Sequence, residues 1–195
     1  MNGSPVAVPR AMAWVRGAWA DALALGWGAA EGSLFFIVPD VLLTLTAAFD
    51  PRRSLRQLVL AIAGSVIAGL ALFAWADARP DRAMDVVARV PFVRAEMFQR
   101  VEADFAGHGV WGLCRGPGSG IPYKVYAVAA PRYTGALPFA LVSIPARAER
   151  LLITWMQFAA TGWALRRWSR RSGRWLLGVH GVYWVLVYAW YWSRP

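Results

Sequence analysis

Gln57-Leu-Val-Leu-Ala-Ile-Ala-Gly-Ser-Val-Ile-Ala-Gly-Leu-Ala-Leu-Phe-Ala-Trp-Ala76 contains no charged residue. About twenty apolar positions are what a helix needs to cross a hydrocarbon core roughly 30 Å thick, so this stretch predicts a transmembrane helix over 57–76. Composition agrees with it. Of the 195 residues, 58% are hydrophobic and only 16% are charged, against about 25% charged in soluble domains. So few charges could not clothe a water-facing surface. A second run, Trp175 to Trp192, holds no charge beyond a neutral His180, and its Trp175, Trp184, Trp190, Tyr191 and Trp192 suit the aromatic belts at lipid headgroups. It predicts an additional C-terminal transmembrane helix within 175–195.

The net charge of +10 raises the question of nucleic acid. The arginines, however, sit beside the apolar runs. Arg52, Arg53 and Arg56 precede the first, while Arg166, Arg167, Arg170, Arg171 and Arg174 fill a basic loop over 166–174. By the positive-inside rule both clusters are cytoplasmic, where they can also hold anionic headgroups. The basic balance is therefore read as a topology signal, with no nucleic-acid partner expected. Residues 1–16 lack a continuous apolar core before a small-residue cleavage site, and are expected to remain as an N-terminal cytoplasmic segment. A single cysteine, Cys114, excludes an intramolecular disulfide and a cysteine-based zinc site. No cofactor or metal is expected.

Between these landmarks the chain is apolar but interrupted. Residues 17–49 carry Asp21, Glu31 and the Pro39-Asp40 pair and are flanked by Arg16 and Arg52. A segment flanked this way should enter the membrane and return, as a helical hairpin turning near Glu31-Gly32-Ser33. Val86, Val90, Val93, Met97, Val101 and Phe105 recur at helical spacing and predict an interfacial amphipathic helix over 80–106, broken near Pro91. Residues 107–145 repeat the character of the first hairpin and predict a second, entering from the opposite face, followed by a span over 147–165.

Glu31 and Asp40 stand nine residues apart and flank Pro39, whereas Arg115 and Lys124 stand nine apart and flank Pro122. Matched spacing with opposite charge resembles a degenerate inverted repeat, whose broken helices meet near the bilayer midplane to form a binding site. Each ionisable group at that depth costs about 2.5–3.5 kcal/mol unless paired or hydrated. Two readings follow from the residues. Glu31 or Asp40 pairs with Arg115 or Lys124 and fixes how the hairpins dock, or the four line a hydrated cavity for a polar or charged substrate. Lys124 is the only lysine in a chain with 21 lysines and arginines, and a compact ammonium can bind phosphate as a point charge. Arg147 and Arg150, after Pro145, either cap such a cavity or anchor their helix at the headgroups.

Gly116-Pro117-Gly118-Ser119-Gly120 lacks the lysine and hydroxyl of a Walker loop. Gly116, Gly118 and Gly120 are instead read as shaping the hairpins, together with Pro39 and Pro122. Ser119 and His108 have no orienting acid at a recognisable spacing, so no catalytic residue is named and an enzyme is not expected.

Three stretches carry a resemblance: Ala30-Glu31-Gly-Ser-Leu-Phe-Phe-Ile-Val-Pro39-Asp40-Val-Leu-Leu, Gly64-Ser65-Val-Ile-Ala-Gly69, and Ile121-Pro122-Tyr-Lys124-Val-Tyr-Ala-Val-Ala-Ala130. Their order and spacing resemble the YqaA-like group of the DedA, or VTT-domain (SNARE-associated Golgi protein), superfamily over about residues 20–165. The resemblance implies an all-α polytopic protein of the bacterial inner membrane, with two inverted re-entrant helical hairpins. It also implies a link to translocation of phospholipids or undecaprenyl phosphate and to proton-dependent envelope homeostasis. Glu31, Pro39 and Asp40 match its first motif, Pro122 and Lys124 its second, and Arg147 the arginine that follows. Pro131 and the Pro145-Ala146 pair depart from the glycines of its pattern.

The combined expectation is a transporter or scramblase for an anionic lipid or lipid-linked phosphate. Arg115, Lys124 and Arg147 would bind phosphate oxygens, and Glu31 and Asp40 would respond to protons. A proton-coupled transporter of a small solute or cation and a non-transporting scaffold are the alternatives. Expected partners are anionic membrane lipids, with protons and further copies of the chain in a homo-oligomer as additional candidates.

Overall fold

The computed structural model describes residues 17–35, 40–168 and 172–193. The N-terminal segment 1–16, Pro39, the side chain of Asp40 and residues 169–171 of the basic loop lie outside what it describes; the loop expected over 166–174 is shorter than that, since its two ends are helical. Among the described residues every regular element is helical. In chain order they are α1 (Ala18–Gly32), α2 (Asp40–Phe49), α3 (Pro51–Ala78), α4 (Pro80–Ala88), α5 (Ala95–His108), a 3-10 stretch (Gly109–Arg115), α6 (Gly116–Ser119), α7 (Tyr123–Ala129), a 3-10 turn (Ala130–Arg132), α8 (Ala136–Trp168) and α9 (Ser172–Trp192).

Helix α3 is the axis of the fold. Its start is well specified: the Asp50 carboxylate accepts the Arg53 N–H at 3.2 Å, and Pro51 occupies the first turn, where its missing N–H is not needed. With 28 residues at a rise of about 1.5 Å each, it is roughly 42 Å long. Among the described residues it is the one helix long and apolar enough to cross a membrane; Trp175–Trp190 is apolar but shorter.

Helix α1 lies along the first half of α3. Asp21, Gly28 and Gly32 meet Arg53, Ala61 and Ser65 in the same order along both helices, so the two run parallel. Glycine allows the approach: a Cβ at Gly28 would stand 2.1 Å from the Ala61 carbonyl oxygen, and one at Gly64 2.1 Å from that of Leu25. Small residues let helix backbones touch in this way. Because α1 and α3 are parallel, the chain must return between them, which α2 does. The C-terminal tip of α1 thus reaches the middle of α3, at Ser65.

The second half of α3 supports the rest. Leu72, Phe73 and Ala76 share one core with Ala83 and Val87 of α4, Val101 and Phe105 of α5, all of α7 from Tyr123 to Ala129, and Phe139, Val142 and Ala146 of α8. Every residue of α7 is buried. Helices α4 and α5 flank a break at residues 89–94, where Phe92, after Pro91, adopts φ +68°.

Helix α8 runs unbroken through Pro145, so no boundary separates a second hairpin ending near Pro145 from a span beginning at Arg147. Proline removes the bond to the carbonyl one turn earlier, and the exposed position of Pro145 keeps its ring off the packed face. Gly162 lets α8 meet the end of α2, since a Cβ there would stand 2.2 Å from the Ala48 carbonyl oxygen. Helix α9 then packs back on α2, with Leu176 against Ala48 and Phe49. Outward, α3 presents Leu55, Val59 and Ile67, α8 presents Leu141, Ile144 and Trp163, and α9 presents Val182, Val185 and Leu186. Soluble monomers seldom carry apolar surface of this extent.

Candidate functional site

Two chain tips converge at the middle of α3. On one side α1 ends at Gly32. The Ser33 N–H bonds back to the Ala29 and Ala30 carbonyls, and its hydroxyl donates to Ala30 at 2.8 Å, which closes the helix. On the other side the single turn of α6 ends at Gly120, whose φ of +73° lies in the left-handed region that favours glycine. Pro122 is extended and launches α7, placing Tyr123 and Lys124 at the tip. Gly69 makes room: a Cβ there would fall 2.2 Å from the Tyr123 hydroxyl oxygen.

A cavity of about 290 Å³ lies between the tips, lined by Glu31 and Phe35 from the first, Gly116, Pro117 and Gly120 to Lys124 from the second, and Ala146, Arg147 and Arg150 from α8. Arg147 and Arg150 share it because residues three apart occupy one helix face. The Glu31 carboxylate is held between them. One oxygen accepts from the Arg147 guanidinium and the other lies 3.5 Å from Arg150. Arg147 is only 5% exposed, and its guanidinium lies over the Tyr123 ring, 5.2 Å from the centroid. The ring is itself fixed, since the Tyr123 hydroxyl donates to Ser143 at 2.8 Å and Ser143 donates to the Phe139 carbonyl at 2.7 Å.

Lys124 is 3% exposed. Its ammonium donates to the Phe35 carbonyl at 2.7 Å, joining the tip of the second segment to the tip of the first. Among the described lining residues three cations, Lys124, Arg147 and Arg150, face one carboxylate, Glu31. Two of these cations, Lys124 and Arg147, are almost fully buried, and buried cations at a cavity suit an anion.

Glu31, Lys124, Arg147, Gly116, Gly120 and Pro122 therefore come together at one cavity. Gly118 is exposed and not among the lining residues. Arg115 is turned away, 57% exposed, with its Nε 2.9 Å from the Asp104 carboxylate. Glu31 pairs with Arg147 and Arg150, where the matched spacing pointed to Arg115 or Lys124. Pro39 and the Asp40 side chain lie outside the described residues.

Three residues at or beside the site escaped sequence reasoning. Tyr123 and Ser143 fix the floor under Arg147. Asp104 anchors the cavity wall, accepting the Tyr126 hydroxyl at 2.6 Å on one oxygen and Arg115 on the other. Phenols buried in an apolar segment need a partner, and Tyr123 and Tyr126 could have been flagged on that ground. Asp104 offered no signal, because it sits in the polar pattern of an amphipathic helix. Among the described residues no group of three or more His, Cys, Asp or Glu is placed to hold a metal ion.

Compared with known proteins, the chain matches no family model, no curated protein and no solved structure.

Proposed function

We propose that the chain is a multi-pass, DedA-like membrane protein that moves an anionic lipid headgroup or lipid-linked phosphate across the bilayer, in the service of envelope homeostasis. The observation that carries this reading is a pair of buried cations, Lys124 and Arg147, lining a cavity halfway along α3. If α3 spans the membrane, its midpoint near Ser65 and Gly69 falls close to the bilayer centre, the depth at which broken helices form transport sites. Arginine and lysine at that depth are expensive and mark pathways or ligands. The apolar residues exposed on α3, α8 and α9 would then face lipid, with acyl tails beside them while the headgroup passes between the tips.

The direct test is headgroup flipping in liposomes reconstituted with the purified chain. Lys124→Ala should slow flipping at least tenfold, about 1.4 kcal/mol in barrier, and equal rates for wild type and variant would remove the mechanism. One observation favours a scaffold instead, namely the ion pair between Glu31 and Arg147 across the tips. A double exchange, Glu31→Arg with Arg147→Glu, separates the two: a scaffold regains full function, whereas a transport site regains fold alone.

A further inference from the structure

Glu31 does more than neutralise two arginines. It gives one oxygen to Arg147 and turns the other to Arg150 at 3.5 Å, which is how a phosphate or carboxylate ligand presents two oxygens to a guanidinium pair. The geometry points to Glu31 as an internal stand-in for the ligand: its carboxylate occupies the fork formed by Arg147 and Arg150, and an incoming phosphate group must displace it. This inference rests on the anion-site reading given above.

Three features make the exchange workable. The fork stays in place when the carboxylate leaves, because Arg147 is held over Tyr123, which Ser143 fixes in turn. Glu31 stands one residue before the end of α1, beside the Ser33 turn, so rotation about its own side chain carries the carboxylate away without moving a helix body. Lys124 lines the same cavity, its ammonium held by the neutral Phe35 carbonyl, and offers the displaced carboxylate another cation.

Exchange of this kind solves a problem that any carrier site faces. A phosphate seated on the Arg147–Arg150 fork with no competitor would be held too tightly to release. A tethered competitor lowers apparent affinity by the fraction of time the fork is free, and its return to the fork drives the ligand out. Glu31 is thereby a release residue rather than a binding one.

The test is a titration of the purified full-length chain in detergent, followed by tryptophan fluorescence, with inorganic phosphate in one arm and dihexanoyl phosphatidic acid in the other. Glu31→Gln should bind about tenfold or more tightly than wild type, while slowing headgroup flipping in liposomes. Tightening in both arms means that the phosphate group alone is recognised, and tightening only with the lipid means that the tails are required; both support the exchange. Unchanged or weaker binding by Glu31→Gln, with wild type binding measurably, overturns it and leaves the anion site standing. If Arg147→Ala binds as wild type does, or if no form of the chain binds either probe, the anion site and the exchange fall together. Should Glu31→Gln fail to fold, Glu31→Asp decides: it keeps the charge but is too short to serve both arginines, so its binding should tighten by a smaller factor, and no change overturns the proposal.

Discussion

The Tyr123 ring forms the floor on which Arg147 rests, with the guanidinium carbon 5.2 Å from the ring centroid. Beneath it Phe139 stacks at 6.0 Å and 17°, and Ser143 accepts the phenol proton. A desolvated cation over an aromatic face contributes about 2 kcal/mol. Tyr123→Phe keeps the face and should bind inorganic phosphate as wild type does, losing about 1 kcal/mol of stability with the hydrogen bond. Tyr123→Leu should weaken binding roughly tenfold. Equal binding by the leucine variant would mean that something else orients Arg147.

Close contact of α1 with α3 predicts a sharp contrast between two glycines of one helix. Gly28→Ala places a methyl group 2.1 Å from the Ala61 carbonyl oxygen and must push the helices apart, whereas a Cβ at Gly26 meets nothing within 4 Å. Thermal unfolding in detergent should show a loss of about 1–3 kcal/mol for the first. For the second it should show a gain approaching 1 kcal/mol, from helix propensity. Similar effects at the two positions would contradict the packing.

Stability and binding should part company at Lys124. Burying a cation is costly, so Lys124→Met relieves that cost while giving up one hydrogen bond to the Phe35 carbonyl, worth about 1 kcal/mol. Its midpoint of unfolding should stay near that of wild type while phosphate binding is lost. Arg115→Ala should behave differently, because Arg115 is exposed and engages Asp104 outside the cavity. It should cost under about 1 kcal/mol and leave binding unchanged. A binding defect in Arg115→Ala equal to that of Lys124→Met would place Arg115 in the site.

At the interface of α2 and α9, Thr44 Oγ1 accepts the Trp184 indole N–H at 3.0 Å and lies 3.0 Å from His180 Nε2. Thr44→Val preserves shape but withdraws that oxygen from both rings. In buried surroundings the loss is worth about 1–3 kcal/mol. Hydrogen exchange should show α9 amides losing protection before those of α3, and uniform loss across the molecule would argue against a separately docked helix.

The helical fold was legible in the charge-free run from Gln57 to Ala76, since a continuous apolar segment of that length can satisfy its backbone groups within itself only as a helix. Glu31 and Lys124 were legible for a related reason: isolated charges in apolar stretches must find partners. Which partners they find was not. That choice depends on α1 lying parallel to α3, a consequence of close approach at Gly28 and Gly64, and on α8 continuing past Pro145 so that Arg147 and Arg150 project together. Both are tertiary outcomes that leave no mark in local periodicity. Arg115 shows the converse, since equal spacing with the first motif drew attention to it while Asp104, eleven positions earlier on another helix, claimed its side chain.

The parallel arrangement of α1 and α3 also sets an order of assembly on the ribosome. Gly28 and Gly32 meet Ala61 and Ser65, positions synthesised more than thirty residues later, so α1 leaves the exit tunnel with its glycine face bare and no neighbour to cover it. The amino-terminal segment must wait for its own scaffold to be translated, and a nascent chain halted before α3 emerges would offer that naked face to the quality-control machinery.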